Sequence, residues 1–217
     1  MKLHDLSVSF VREVRVPEAV VFGLGNVLIR WDPYAAVAAG VGPDEARRFL
    51  AAPDFDFLAW NHLQDAGRSW DDGVAEVVRT HPHWAEHARA YRTHFAASLL
   101  GEVPGTAGVV RDLQAAGVRL LGLTNWSAEL YPYAPATFDV LALLDDVVVS
   151  GREGVAKPDR RVFEIVAERA ALPLDRLAFV DDLAGNVAAA TTLGMDGIVF
   201  TDAATLRADL AARGLPV

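Results

Sequence analysis

Ala19-Val20-Val21-Phe22-Gly23-Leu24-Gly25-Asn26 is the stretch on which the fold turns. Four apolar residues without polar alternation, stopped by two glycines, predict a short strand covered on both faces, as in a parallel sheet layered by helices. Val27-Leu28-Ile29 either extends that strand or turns back from it. Working outward, the same signature recurs at residues 119–123, 147–149, 177–180 and 198–200. Helix-period stretches lie between and after these runs, at residues 107–116, 160–171, 184–193 and 203–212. Gly117 and Gly194 stand where glycine commonly ends a helix. Strands alternating with helices of this length predict an α/β fold, a doubly wound parallel sheet built from right-handed βαβ units.

The stretch from Pro33 to Leu100 has no strand-like run. Trp84, Ala88, Tyr91, Phe95 and Leu99 follow one another at helical spacing and predict an amphipathic stripe. Pro43 with Asp44 and Glu45 reads as a helix start. The expected organisation is therefore a sheet-based core, residues 1–34 and 101–217, with a helical cap inserted at residues 35–100. Five of the six histidines fall in the insertion. His83 and His87 are one turn apart, a spacing able to hold zinc, but no carboxylate signature accompanies them, so a solvated cap surface is expected. Trp60 and Trp70 are expected to pack the cap.

Of the 217 residues, 52% are apolar and 23% charged, and none is cysteine. That rules out a disordered chain, disulfides, thiolate-zinc sites and a cysteine nucleophile. A formal charge of −9 argues against nucleic-acid and anionic-membrane partners. No apolar run approaches a membrane span, and residues 1–16 lack the apolar core of a secretory signal, so a cytoplasmic protein is expected.

In open α/β sheets, ligands bind beyond the carboxyl ends of the strands. There the sequence places Gly23-Leu24-Gly25-Asn26, Thr124-Asn125, Lys157-Pro158 and Asp181-Asp182 with Asn186. Each has a plain alternative: turn and cap residues for Thr124-Asn125, a solvated side chain for Lys157, a helix N-cap for Asp181-Asp182. Gly23-x-Gly25 is a poor dinucleotide fingerprint, because Leu28 replaces the third glycine and Trp31-Asp32-Pro33 interrupts the following segment. Trp126 reads equally as core or as pocket wall.

Taken in order, Phe22-Gly23-Leu24-Gly25-Asn26-Val27-Leu28, Leu123-Thr124-Asn125-Trp126, Gly154-Val155-Ala156-Lys157-Pro158-Asp159 and Val180-Asp181-Asp182 resemble the four motifs of the haloacid-dehalogenase superfamily. The resemblance covers nearly the whole chain and is nearest to a branch of bacterial phosphatases and 2-haloacid dehalogenases. It implies a Rossmann-like core with a helical cap, and an aspartyl intermediate formed after the first strand. It also implies Mg²⁺ held by Asp182, by Asp181 directly or through water, and by the Gly25 backbone carbonyl. The ligand would be bound by Thr124, Asn125, Lys157 and Trp126, with Thr124 and Lys157 also serving catalysis. The implied ligand is a small phosphorylated or halogenated acid, and the assembly to be considered is a homodimer.

Two positions depart from the family pattern. Gly23 stands where the family has its Asp nucleophile, and a glycine can neither attack nor offer a metal a carboxylate. Gly25 stands where many phosphatases carry an acid for the leaving alkoxide. The missing acid favours loss of a halide, and the acidic pair favours a cation and therefore phosphate chemistry. The expected function is a Mg²⁺-dependent phosphatase of a small phosphorylated metabolite, inactive or crippled at Gly23. The alternatives are a 2-haloacid dehalogenase and a non-catalytic binder of a phosphorylated ligand. Asp32, in the segment that leaves the sheet, is a poor replacement nucleophile.

Overall fold

The computed structural model describes residues 16–217, so the expectations for residues 1–15, the absence of a secretory signal included, lie outside the described residues. The strands are β1 (Ala19–Phe22), β2 (Ile29–Trp31), β3 (Leu99–Glu102), β4 (Arg119–Thr124), β5 (Asp146–Val149), β6 (Leu177–Asp181) and β7 (Asp196–Val199). Five form a sheet in the order β5-β4-β1-β6-β7, and every pairing in it is parallel. The last strand runs from two residues before to one residue short of the expected 198–200, because Asp196 and Gly197 already pair with Ala178 and Phe179 of β6.

Between β2 and β3 come α1 (Pro33–Val41), α2 (Pro43–Leu50), α3 (Phe57–Asp65), α4 (Trp70–Thr80) and α5 (Ala85–Thr93). The remaining helices are α6 (Thr106–Ala115), α7 (Ser150–Glu153), α8 (Arg160–Ala170), α9 (Ala184–Thr192) and α10 (Ala203–Ala212). Among the described residues no helix is long and apolar enough to cross a membrane.

The central strand shows why the sheet is layered. Val20 and Phe22 belong to one apolar cluster with Val110 and Leu113 of α6 and Leu206 and Leu210 of α10. Ala19 and Val21 point the other way, into a second cluster with Val162, Phe163 and Val166 of α8. Alternate side chains of a strand leave on opposite faces, so an unbroken apolar run needs cover on both.

The ambiguous Val27-Leu28-Ile29 run turns back. Asn26 N–H donates to the Ile29 carbonyl at 2.7 Å with Asn26 at φ 56, and β2 then pairs antiparallel with β3. This ribbon joins the two ends of the helical segment, for Asp32 N–H also donates to the Ser98 carbonyl at 3.0 Å. Asp32 caps α1 by accepting from Tyr34 N–H, which fixes it as a helix start.

Within the helical segment, Phe49, Phe57, Trp60, Trp70, Trp84 and Tyr91 are buried and meet edge-on or tilted at centroid distances of 5.0–5.9 Å. Burying a side chain of this size contributes on the order of 1.5–3 kcal/mol. Trp60 and Trp70 thus pack this segment, as expected. The stripe from Trp84 to Leu99 faces inward, but its ends are a 3-10 turn and the start of β3 rather than one helix. The expectation of solvated histidines fails at His87, which is buried against Phe49 and Trp84, with Nε2 3.2 Å from Glu45 Oε2. His83 is directed elsewhere, to Asp54 at 2.8 Å, so the pair does not converge.

Candidate active site

β1, β4 and β6 end side by side, and the groups beyond them meet there. Gly23 N–H donates to the Val180 carbonyl at 2.7 Å, which ties the end of β1 to that of β6. Lys157 arrives on the loop before α8. Its backbone N–H donates to Asn125 Oδ1 at 2.8 Å, and Asn125 Nδ2 donates to its carbonyl at 2.9 Å. Asn125 is therefore a clamp between two loops, which accounts for an amide at that position.

The Lys157 side chain is buried, which excludes the solvated reading. Its ammonium donates to the Leu123 carbonyl at 2.9 Å and to Asp181 Oδ2 at 2.6 Å, and lies 5.6 Å from the Phe179 ring centroid. Asp181 Oδ1 accepts from Leu183 N–H at 3.0 Å and from Asn186 Nδ2 at 2.9 Å. Two N–H donors and the lysine cation together offset the cost of a buried carboxylate. The helix-cap alternative is not met: the N-cap of α9 is Leu183 and no side chain caps that helix, while Asp181 receives the Leu183 N–H before the helix begins and pairs with Lys157.

Gly23 is the point of closest approach. A Cβ added there would lie 2.8 Å from Asp181 Oδ2 and 3.3 Å from the Val180 carbonyl. The room that a side chain at 23 would need is taken by the carboxylate that neutralises Lys157.

Asp182 is half-buried, and burial followed by the neighbouring Asp181 charge raises its carboxyl above the ordinary range, partly relieved by a hydrogen bond with Asn26. A cation beside Asp182 would relieve both penalties. Mg²⁺ takes oxygen ligands and keeps several waters. Asp182 therefore offers an oxygen of the kind that a hydrated Mg²⁺ takes. It does not make an all-protein cage, and among the described residues no group of three His, Asp or Glu gathers.

A cavity of about 100 Å³ lies between this rim and the helical segment, lined by Gly25, Thr124, Asn125 and Trp126 from one side and Trp31, Asn61, Asp65, Tyr91 and Phe95 from the other. The sequence reading named the first four and missed Asn61, Asp65 and Tyr91. Asn61 and Asp65 are one helical turn apart on α3, which was the available signal, but a polar pair at that spacing is ordinary on a helix surface. Asn61 Nδ2 donates to Asp65 Oδ2 at 3.0 Å, and Ser150 Oγ donates to the Asp65 carbonyl at 2.5 Å. Burial raises the Asp65 carboxyl to about 7, against a hydrogen bond from Ser127 and the attraction of Lys157. Tyr91, buried and facing the Asp65 charge, is held well above its usual value.

Three further hydrogen bonds tie the helical segment to the loop after β4. Trp70 Nε1 donates to Ser127 Oγ at 2.8 Å, and Trp70 N–H donates to Glu129 Oε1 at 2.8 Å. Arg92 donates to the other Glu129 oxygen at 3.1 Å.

The comparisons agree with this architecture. The sequence profile of the haloacid dehalogenase-like hydrolases matches residues 16–194. Among curated proteins, drimenol cyclase drtB of Aspergillus calidoustus is 32% identical over 83 residues, covering 38% of this chain and 16% of the cyclase. The sesquiterpene phosphatase astK of Aspergillus oryzae is 32% identical over 94 residues, covering 43% of this chain and 48% of the phosphatase. The chain thus spans less than half the length of either. Among solved structures, a haloacid dehalogenase family enzyme of Bacteroides thetaiotaomicron, in complex with magnesium and inorganic phosphate, superposes with a TM-score of 0.66 at 16% identity, covering 85% of this chain and 94% of that one.

Proposed function

The chain belongs to the haloacid dehalogenase-like hydrolases, and on that basis we propose that its site takes the phosphoryl group of a small phosphorylated metabolite but does not form the aspartyl intermediate. The observation that carries the reading is the arrangement around Gly23. The cation, the hydroxyl-bearing strand end and the acidic pair are assembled, while the position of the attacking group holds no side chain.

Phosphoryl transfer depends on positioning and on stabilising charge. Lys157, fixed by Leu123 and Asp181, is placed to neutralise phosphate oxygens. Thr124 supplies a hydroxyl at the end of β4, and Asn125 keeps the two loops in register. When bound at Asp182 and the Gly25 carbonyl, Mg²⁺ would neutralise phosphate charge. Residues 35–100 act as a cap that excludes water from the site. Without a nucleophile, only binding and electrostatic stabilisation remain, worth roughly 10³–10⁴-fold over water in hydrolases stripped of catalytic side chains.

The 2-haloacid alternative is less well supported, because the Asp181-Asp182 pair, with the Asp182 carboxyl raised by burial and by its neighbour's charge, favours a cation and therefore phosphate chemistry. The test is Gly23→Asp, assayed with Mg²⁺ on an aryl phosphate and on a 2-haloacid. Phosphate release by the variant, absent from the unmodified chain, is expected. Halide release without phosphate release would establish the haloacid reading, and release of neither would end the hydrolase reading of this site.

A further inference from the structure

The cavity lining holds polar groups that the phosphate reading leaves unused. Trp126 Nε1 and Asn61 Oδ1 are buried without a hydrogen-bond partner, on side chains only 6% and 8% exposed. Both residues line the same cavity of about 100 Å³. One is a donor and the other an acceptor, and an unpaired buried polar group of either kind is costly. Asp65 joins them through its hydrogen bond from Asn61.

This chemistry excludes most ligand groups. A second anion would meet Asp65 and the Asn61 carbonyl, with no Lys or Arg in the lining. A purely apolar group would leave both orphans unpaired. A hydroxyl accepts from Trp126 and donates to Asn61, and the volume admits only a few heavy atoms. Trp31, Tyr91 and Phe95 would cover the carbons of such a group.

Resting on the phosphate reading above, we infer that Asn61, Asp65 and Trp126 form a subsite for an uncharged, hydroxyl-bearing group. The ligand class is then a short hydroxylated alkyl phosphate.

The experiment is calorimetric titration of the full chain, with Mg²⁺, using glycerol phosphate and propyl phosphate, which differ only in the two hydroxyls. Glycerol phosphate is expected to bind about 10- to 100-fold tighter, as two satisfied buried partners imply. In Trp126→Phe, which keeps an aromatic side chain and removes the donor, the ratio is expected to fall toward 1. Asn61→Leu tests the acceptor in the same way, and the ratio measured on the unmodified chain decides the question even if either variant fails to fold. Equal binding of the two esters by the unmodified chain, or a ratio unchanged in both variants, overturns the subsite and leaves the phosphate site intact. If neither ester binds, the phosphate reading itself fails and the subsite goes with it.

Discussion

Lys157 Nζ and Asp181 Oδ2 lie 2.6 Å apart in the interior, and the same oxygen stands 2.8 Å from where a Cβ on Gly23 would be. One carboxylate thus serves as partner of the lysine and occupant of the space beside the glycine. Replacing Lys157 by Met leaves that carboxylate buried with hydrogen bonds but no cation. The expected loss is about 3–5 kcal/mol, the range for breaking a buried ion pair from one side. Urea unfolding checks it, and a Lys157→Met, Asp181→Leu double variant should lose less than the sum of the single losses.

Gly23→Asp adds a third acid next to Asp181 and Asp182 with only Lys157 to offset them. Close packing and like charge should lower stability by roughly 1–3 kcal/mol in the absence of divalent ions. Mg²⁺ should restore part of that loss, through binding to the folded state alone. Thermal unfolding with and without Mg²⁺ reads this directly. The unmodified chain should gain less from the ion than the variant does.

Asp65 carries its own pH signature. Its carboxyl titrates at about 7 in the folded protein against an ordinary 3.8, so the folded state holds the proton more tightly than the unfolded chain. Stability from this group is present in full below about 4 and is lost as pH rises through about 7. Asp65→Asn should flatten the decline in unfolding free energy between about pH 4 and pH 7, a change on the order of 2–4 kcal/mol. Equal slopes in the two proteins would show that Asp65 ionises normally.

Glu129 accepts from Trp70 N–H and from Arg92, and so ties the helical segment to the loop after β4. Glu129→Ala should cost about 1 kcal/mol, because Arg92 is partly exposed and keeps its pairing with Asp71. The stronger effect should be local: faster amide exchange around residues 67–73, reporting a segment less firmly held over the cavity.

Much of this was legible in the sequence because each rim residue directly follows an unbroken apolar strand. Strand ends fix where Gly23, Thr124 and Asp181 sit, and the loop carrying Lys157 is stitched to Asn125 by two hydrogen bonds. Asn61, Asp65 and Tyr91 were not legible. They reach the cavity only because the β2–β3 ribbon folds the helical segment back over the carboxyl ends of β1 and β4, a tertiary contact with no local signature. His87 was misread for a related reason: Phe49, from another helix, and Trp84, from the preceding turn, cover a face that its own sequence neighbours leave open.

The most direct measurement is a titration of inorganic phosphate into the unmodified chain and into Thr124→Val, with Mg²⁺ present and phosphate release from an aryl phosphate followed in parallel. Saturable binding to the unmodified chain, weakened about 10-fold or more by the substitution and accompanied by negligible turnover, is the predicted result. Rapid turnover by the chain carrying Gly23, or phosphate binding indifferent to Thr124, would contradict it.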